Sequence, residues 1–111
     1  ICAIDAITFE FGKSNIKPES YDYLDKLAQT IRRSNRHVEV KGHTDNVGGD
    51  EFNMNLSRDR AKAVVNYLVS KGVNPDKLTY SYYGMRRPLS DNDTEEGRAK
   101  NRRVEFTIKN N

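Results

Sequence analysis

The stretch VEVKGHTDNVGGDEFNMNLSRDRAKAVVNYLVSKGV, residues 38–73, decides the fold because its periodicity changes once along its length. Val38, Val40 and Gly42 alternate with charged residues, a period of two that predicts a β-strand with one buried face. After the loop TDNVGGD, apolar residues recur at helical spacing and predict a helix over about residues 51–71. The stretch therefore predicts a strand, a tight loop and a long helix.

Further strands and helices are predicted on both sides of this stretch. Alternating apolar residues predict three more strands, at Ile7, Phe9 and Phe11, at Leu78, Tyr80 and Tyr82, and at Val104, Phe106 and Ile108. Helical spacing predicts a second helix over about residues 18–33 and a short helical turn over about 95–100, with Asp93 or Thr94 as its cap. This order indicates an α+β fold, βαβαββ, with two main helices on one face of a four-stranded mixed sheet.

Length and composition are those of one globular domain. The chain has 111 residues, 35% hydrophobic and 32% charged, so we expect residues 1–111 to form a single domain. The 19 basic residues are nearly balanced by 16 acidic ones, which does not require a polyanionic partner. No run approaches the ~18 apolar residues of a membrane span. The sequence begins with Ile1 and its one cysteine is Cys2, so we expect a piece of a longer protein without a disulfide framework.

Two opposite charges stand close to the loop between the second strand and the long helix. Asp45 precedes the helix by five residues, and Asn53, Leu56 and Arg60 follow at spacings that share one helix side. A carboxylate accepts hydrogen bonds from an ammonium group, and a guanidinium binds a carboxylate through two donors. The pair therefore suits a zwitterion, the free end of an amino acid. Spacing alone favours a salt bridge between Asp45 and Arg60 that only fixes the loop, because such ion pairs are common.

Five motifs follow one another at characteristic spacings: FEFGKSNI, GHTDNVG, NMNLSRDRAKAVVNYLVSKGV, YGMRRP and GRAKNRRVEF. Together they cover about residues 7–108, and through them the chain resembles the OmpA-like C-terminal domain. That family is the peptidoglycan-binding module of outer-membrane porins, peptidoglycan-associated lipoproteins and flagellar motor stators.

The resemblance implies a ligand and a site. Members of the family hold the diaminopimelate side chain of uncrosslinked peptidoglycan stem peptides. By the match, Asp45 receives the ammonium group of the diaminopimelate end and Arg60 receives its carboxylate. Some relatives carry an aspartate where this chain has Gly12, so only a backbone contact is expected there. The resemblance implies these further ligand-binding residues: Asn53, Leu56, Phe11, Gly12 and Gly49.

The implied function is non-covalent binding of peptidoglycan that anchors an outer-membrane protein to the cell wall. No enzymatic activity, cofactor or metal is expected, and contact with a membrane is expected only through a missing N-terminal region. The implied location is the periplasm, attached to the outer membrane through that region. Alternatives are a protein-interaction scaffold that uses the loop Gly84–Pro88, or a cell-wall hydrolase. The nature of the anchor, the wall's diamino acid and the oligomeric state stay open.

Other residue patterns fit known binding and catalytic sites poorly. Arg98, Arg102 and Arg103 lack the interleaved aromatics of a nucleic-acid site, so we expect them to support the fold. His37 and His43 have no cysteine nearby and do not make a metal site, so each is expected to face solvent or to have a hydrogen-bond partner. A pair of catalytic carboxylates beside Arg60 is not expected, because a guanidinium keeps neighbouring acids ionised.

Overall fold

Four strands form one mixed sheet in the order β1-β4-β2-β3 in the computed structural model, which describes residues 6–34 and 36–109. Ile1 and Cys2 lie outside the described residues. The strands are β1 (Ala6–Thr8), β2 (His37–Gly42), β3 (Leu78–Tyr82) and β4 (Arg103–Lys109). Strand β2 pairs in parallel with β3 and antiparallel with β4, which also pairs antiparallel with β1. The predicted α+β class with a four-stranded mixed sheet is confirmed.

Three α-helices connect these strands: α1 (Tyr21–Arg32), α2 (Asp50–Ser70) and α3 (Glu95–Asn101). Short 3₁₀ turns at Pro18–Ser20 and Pro75–Lys77 precede α1 and β3. Thr94 caps α3, because its side chain accepts a hydrogen bond of 3.0 Å from the backbone N–H of Gly97. Among the described residues, no helix combines the length and apolarity needed to cross a membrane.

One face of the sheet is covered by α1 and α2. The alternation in β2 and β4 points Val38, Val40, Val104 and Phe106 to that face, where all four are buried. The helices contribute Leu24, Leu27, Ala28 and Ile31 from α1, and Ala61, Val64 and Leu68 from α2. The core residues of α2 all lie in its C-terminal half. Its N-terminal half therefore carries polar groups over the end of β2.

Gly42 sets how closely α2 approaches the sheet. A Cβ atom at Gly42 would overlap the backbone carbonyl of Ser57, which lies in the second turn of α2. The last residue of β2 must therefore be glycine if α2 is to cross the sheet at this height. This close crossing brings Arg60, one helical turn further on, over the loop that follows β2.

Strand β1 is shorter than the alternation of Ile7, Phe9 and Phe11 predicts. It ends at Thr8, Phe9 is buried, and Phe11 is 59% exposed. The chain turns instead at residues 10–13, where the N–H of Lys13 donates to the carbonyl of Glu10 at 3.1 Å. Gly12 has a φ of +67°, which favours glycine and turns the chain away from the sheet.

Candidate functional site

The guanidinium group of Arg60 is fully buried and is bound by three backbone carbonyls. Its Nε donates to Lys13 at 2.8 Å, one Nη donates to His43 at 3.0 Å, and the other donates to Glu10 at 3.1 Å. Its Cζ also lies 5.2 Å from the centre of the Phe9 ring, a cation–π distance. Three of the five guanidinium N–H groups are thus used by the protein itself.

The turn at residues 10–13 explains how this arginine is covered. Glu10 and Lys13 follow β1 and are far from Arg60 in the sequence. Their two carbonyls accept hydrogen bonds from the same guanidinium group. Gly12 closes the turn between them, and a side chain at that position would meet no other atom. The predicted neighbours Phe11 and Gly12 are therefore brought to Arg60 by the backbone of their own turn.

Arg60 is a cation held in an unfavourable medium. Burial lowers the pKa of Arg60 to about 10, the nearby charge of Asp45 raises it, and Arg102 lowers it. The group therefore stays protonated at neutral pH. A buried cation that is bound by neutral carbonyls attracts an anion strongly, because little solvent screens it.

Asp45 lies three residues after β2 and is 3% exposed. One of its carboxylate oxygens accepts from the backbone N–H of Val47 at 3.1 Å, and the other accepts from Arg102 at 3.1 Å. In the described part of the chain Asp45 therefore pairs with Arg102 and forms no salt bridge with Arg60. The direct Asp45–Arg60 bridge that the spacing allowed is not what holds the loop.

Arg102 is the site residue whose contact the sequence analysis missed. Besides Asp45, it donates from Nη2 to Glu95 at 2.7 Å and from Nε to the carbonyl of Phe9 at 3.3 Å. The hydrogen bond to Arg102 is the main cause that lowers the pKa of Glu95, and the same bond raises the pKa of Arg102. The antiparallel pairing of β4 with β2 places the start of β4 beside the end of β2, a register that the local sequence patterns did not predict.

Asn53 connects the Asp45 loop to α2. It is fully buried, and its Nδ2 donates to the carbonyl of Val47 at 3.1 Å and contacts the sulfur of Met85 at 3.6 Å. Its Oδ1 is buried without a hydrogen-bond partner among the described residues. A buried amide oxygen without a donor is costly, so it marks a position where a donor from a ligand would be stabilised.

The remaining predicted site residues lie around this centre. Leu56 is half-buried on the same helix, one turn before Arg60. Gly49 is the residue before α2, and its carbonyl accepts from the N–H of Asn53 at 3.0 Å. A Cβ at Gly49 would meet nothing within 4 Å. The described residues enclose no cavity at this site.

The loop Gly84–Pro88 packs beside the same site. The carbonyl of Gly84 accepts from the N–H of Thr44, and the N–H of Gly84 donates to the hydroxyl of Ser57, both at 2.9 Å. Arg86 forms a bidentate pair with Asp50 at 3.2 and 2.7 Å, at the start of α2. The loop is therefore held at several points and supports the residues of the site.

The environment of His43 differs from the one that the sequence predicted. It is 2% exposed, and neither ring nitrogen has a hydrogen-bond partner in the part of the chain that the structure describes. The ring stacks on Tyr83 at 5.3 Å, and its nearest carboxylate oxygen, from Glu105, is 3.8 Å away. The expectation of a solvent-facing or hydrogen-bonded histidine is wrong, because the strand pairing of β2 with β4 carries His43 under these side chains.

The mixed sheet with its helical cover is the fold of a known class of periplasmic domain. The same fold is seen in the crystal structure of the peptidoglycan-associated lipoprotein from Burkholderia pseudomallei, with a TM-score of 0.92, 26% identity and coverage of 95% of this chain and 90% of that chain. The chain belongs to the OmpA family, whose model matches residues 8–102. The suspected family is thereby confirmed.

Two curated relatives are similar over nearly the whole of this chain. Outer membrane porin F of Pseudomonas fluorescens is 46% identical over 103 residues, which cover 92% of this chain and 32% of the porin. The peptidoglycan-associated lipoprotein of Pseudomonas aeruginosa is 44% identical over 104 residues, which cover 94% of this chain and 62% of the lipoprotein. The chain thus spans about a third of one relative and about three fifths of the other.

Proposed function

We propose that this domain binds peptidoglycan without covalent chemistry, through the zwitterionic end of the diaminopimelate side chain in a stem peptide. The observation that carries the proposal is that Asp45, in the loop before α2, and Arg60, at the middle of α2, are both buried and are held by different partners. Each charge therefore keeps capacity for a guest. The similarity to peptidoglycan-associated lipoproteins supports the choice of peptidoglycan.

Arg60 is the proposed receiver of the ligand carboxylate. Two of its five N–H groups have no acceptor among the described residues, since three donate to the carbonyls of Glu10, Lys13 and His43. A carboxylate that binds these two groups gains charge-assisted hydrogen bonds in a poorly solvated place. Because Arg60 is fully buried, the turn at residues 10–13 has to move aside when the ligand enters.

Asp45 and Asn53 are the proposed receivers of the ligand ammonium. The carboxylate of Asp45 accepts from Val47 and Arg102, which leaves lone pairs for a third donor. The buried Oδ1 of Asn53 lacks a donor among the described residues, and an ammonium group has three N–H groups to share. Leu56 and the backbone of Gly49 and Gly12 complete the proposed site around the hydrocarbon part of the diamino acid.

The wider role proposed for the domain is attachment. A non-covalent site of this size gives modest affinity, and a polymer that presents many stem peptides multiplies it through avidity. We infer that residues 1–111 form one binding domain of a longer envelope protein in the periplasm, held at the outer membrane by another part of that protein. A binding role without catalysis fits the similarity to a porin and to a peptidoglycan-associated lipoprotein.

Sedimentation with isolated peptidoglycan tests the proposal. We expect peptidoglycan to retain at least about tenfold less of Asp45→Asn and of Arg60→Lys than of the parent. The first variant loses the negative charge and the second loses the two-donor binding of a carboxylate, and we expect each loss to cost about 1.4 kcal/mol or more of binding free energy. The matched control is Asp59→Asn on the exposed side of α2. Circular dichroism fixes a temperature at which every variant is folded. Parental retention by both variants would refute the assignment.

Elution separates the zwitterion from a general effect of charge. Free diaminopimelate is expected to release the bound parent protein, whereas pimelate, which has the same carbon chain without ammonium groups, is expected not to. Equal release by the two compounds would leave peptidoglycan binding in place but would contradict the role given to Asp45.

A further inference from the structure

The four phenylalanines of the chain divide into two kinds. Phe9 and Phe106 are core residues with exposures of 1% and 7%. Phe11 and Phe52 are 59% and 56% exposed, although exposing an aromatic ring to water is unfavourable. Phe11 belongs to the turn that covers Arg60. Phe52 belongs to α2 and has no part in the proposed zwitterion site, so its exposure needs another explanation.

Phe52 lies against the loop that carries Asp45. A Cβ at Gly48 would lie 3.0 Å from its ring, and Gly48 has a φ of +94°, so the ring packs on a turn that requires glycine. Val47, the residue before this glycine, is 42% exposed. Phe52 and Val47 are thus neighbouring apolar side chains on one loop and the first turn of the helix; we name them the apolar rim.

The apolar rim is continuous with the proposed ammonium site. The N–H of Val47 donates to Asp45, and its carbonyl accepts from Asn53, so its backbone joins the two polar receivers. Phe52 directly precedes Asn53 and stands one helical turn before Leu56, at a spacing that places both on one side of α2. Apolar surface beside a few fixed polar groups is the usual composition of a ligand site.

We propose that the apolar rim is a second part of the binding site, which contacts the hydrocarbon groups of the stem peptide bonded to the held diamino acid. This inference rests on the proposed function. The polar receivers are matched to the charged end of the guest, and the exposed apolar side chains of Val47 and Phe52 suit hydrocarbon groups bonded next to that end. The rim therefore distinguishes a diamino acid within a peptide from the free diamino acid.

The test compares two ligands by calorimetric titration. Phe52→Ala is expected to bind a soluble stem peptide about fivefold to tenfold more weakly than the parent, as expected for loss of part of an aromatic contact area. Its affinity for free diaminopimelate is expected to stay within about twofold of the parent, a difference of about 0.4 kcal/mol. Phe52→Tyr should bind both ligands like the parent. Tyr80→Ala, at an aromatic residue of edge strand β3 with 43% exposure, is the matched control.

Three results would overturn the inference in different ways. Parental affinity of Phe52→Ala for both ligands would show that the rim makes no contact while the proposed function stands. Equal weakening for both ligands would assign Phe52 to the shape of the Asp45 loop instead. Failure of the parent protein to bind either ligand would overturn the proposed function itself and the rim with it.

Discussion

Asp45 is paired with Arg102 at 3.1 Å, and both side chains are almost fully buried, with exposures of 4% and 8%. The pair joins the loop after β2 to the residue before β4. Arg102 in turn reaches Glu95, the first residue of α3, at 2.7 Å, so the acid nearest the proposed ammonium position is connected to α3 through Arg102. The opposite charge in the proposed site, Arg60, is fixed separately by backbone carbonyls.

The Asp45–Arg102 pair should be energetically coupled. Arg102→Met is expected to lower the free energy of unfolding by about 3–5 kcal/mol, because it leaves Asp45 as a buried charge without its cation. In the Arg102→Met background, Asp45→Asn should lower the free energy of unfolding much less than it does in the parent. Urea denaturation of the parent, both single variants and the double variant measures the coupling. Strict additivity would contradict the pairing.

Arg60 should matter to stability as well as to binding. Arg60→Lys is expected to lower the free energy of unfolding by about 2–3 kcal/mol, because one ammonium group cannot serve three carbonyls that point at a planar guanidinium. Arg58→Lys, two residues earlier and partly exposed, is the matched control and should change stability by less than about 0.5 kcal/mol. Equal effects in urea denaturation would show that the carbonyl contacts contribute little.

His43 should make the domain less stable in mild acid. Burial, with help from Arg103, lowers the pKa of His43 to about 4 from an ordinary 6.5, although Glu105 raises it. Between these values the unfolded chain binds a proton that the folded chain does not, so stability falls as the pH falls from 6.5 towards 4 and is unaffected above 6.5. The expected loss between pH 7 and pH 5 is about 2 kcal/mol.

Denaturation curves at pH 7 and pH 5 measure this loss. His43→Phe keeps an aromatic ring against Tyr83 without a titrating group, and it should lose most of the difference between the two pH values. His37→Gln removes the other histidine and should keep it. A parental pH dependence in His43→Phe would assign the acid sensitivity to carboxyl groups instead.

Gly42 and Gly49 provide a matched test of the helix crossing. Gly42→Ala is expected to lower the free energy of unfolding by about 1–3 kcal/mol, because its methyl group would overlap the carbonyl of Ser57 and push α2 away from the sheet. Gly49→Ala adds the same group in open space at the start of α2 and should cost less than about 1 kcal/mol. Thermal melts compare the two variants, and a smaller effect at Gly42 than at Gly49 would contradict the crossing described.

Local sequence patterns predicted the fold and much of the candidate site. Alternation in residues 37–42 and helical spacing after the glycine loop gave β2 and α2, because each pattern depends on contacts a few residues apart. The same spacing put Asn53 and Arg60 close to the loop of Asp45. Where a turn overrode the alternation, as at Phe11, the prediction of the first strand ran too far.

The sequence by itself determined which elements form and which polar residues stand in the loop after β2 and on α2. Only the tertiary structure decided how those residues are held: Asp45 meets Arg102 from 57 positions away, and Arg60 meets carbonyls 47 and 50 positions away. It also decided that His43 is buried. The physical reason is that an ion pair or hydrogen bond requires atoms within about 3 Å of each other, and distances at that scale follow from strand register and helix crossing, which periodicity along the chain does not encode.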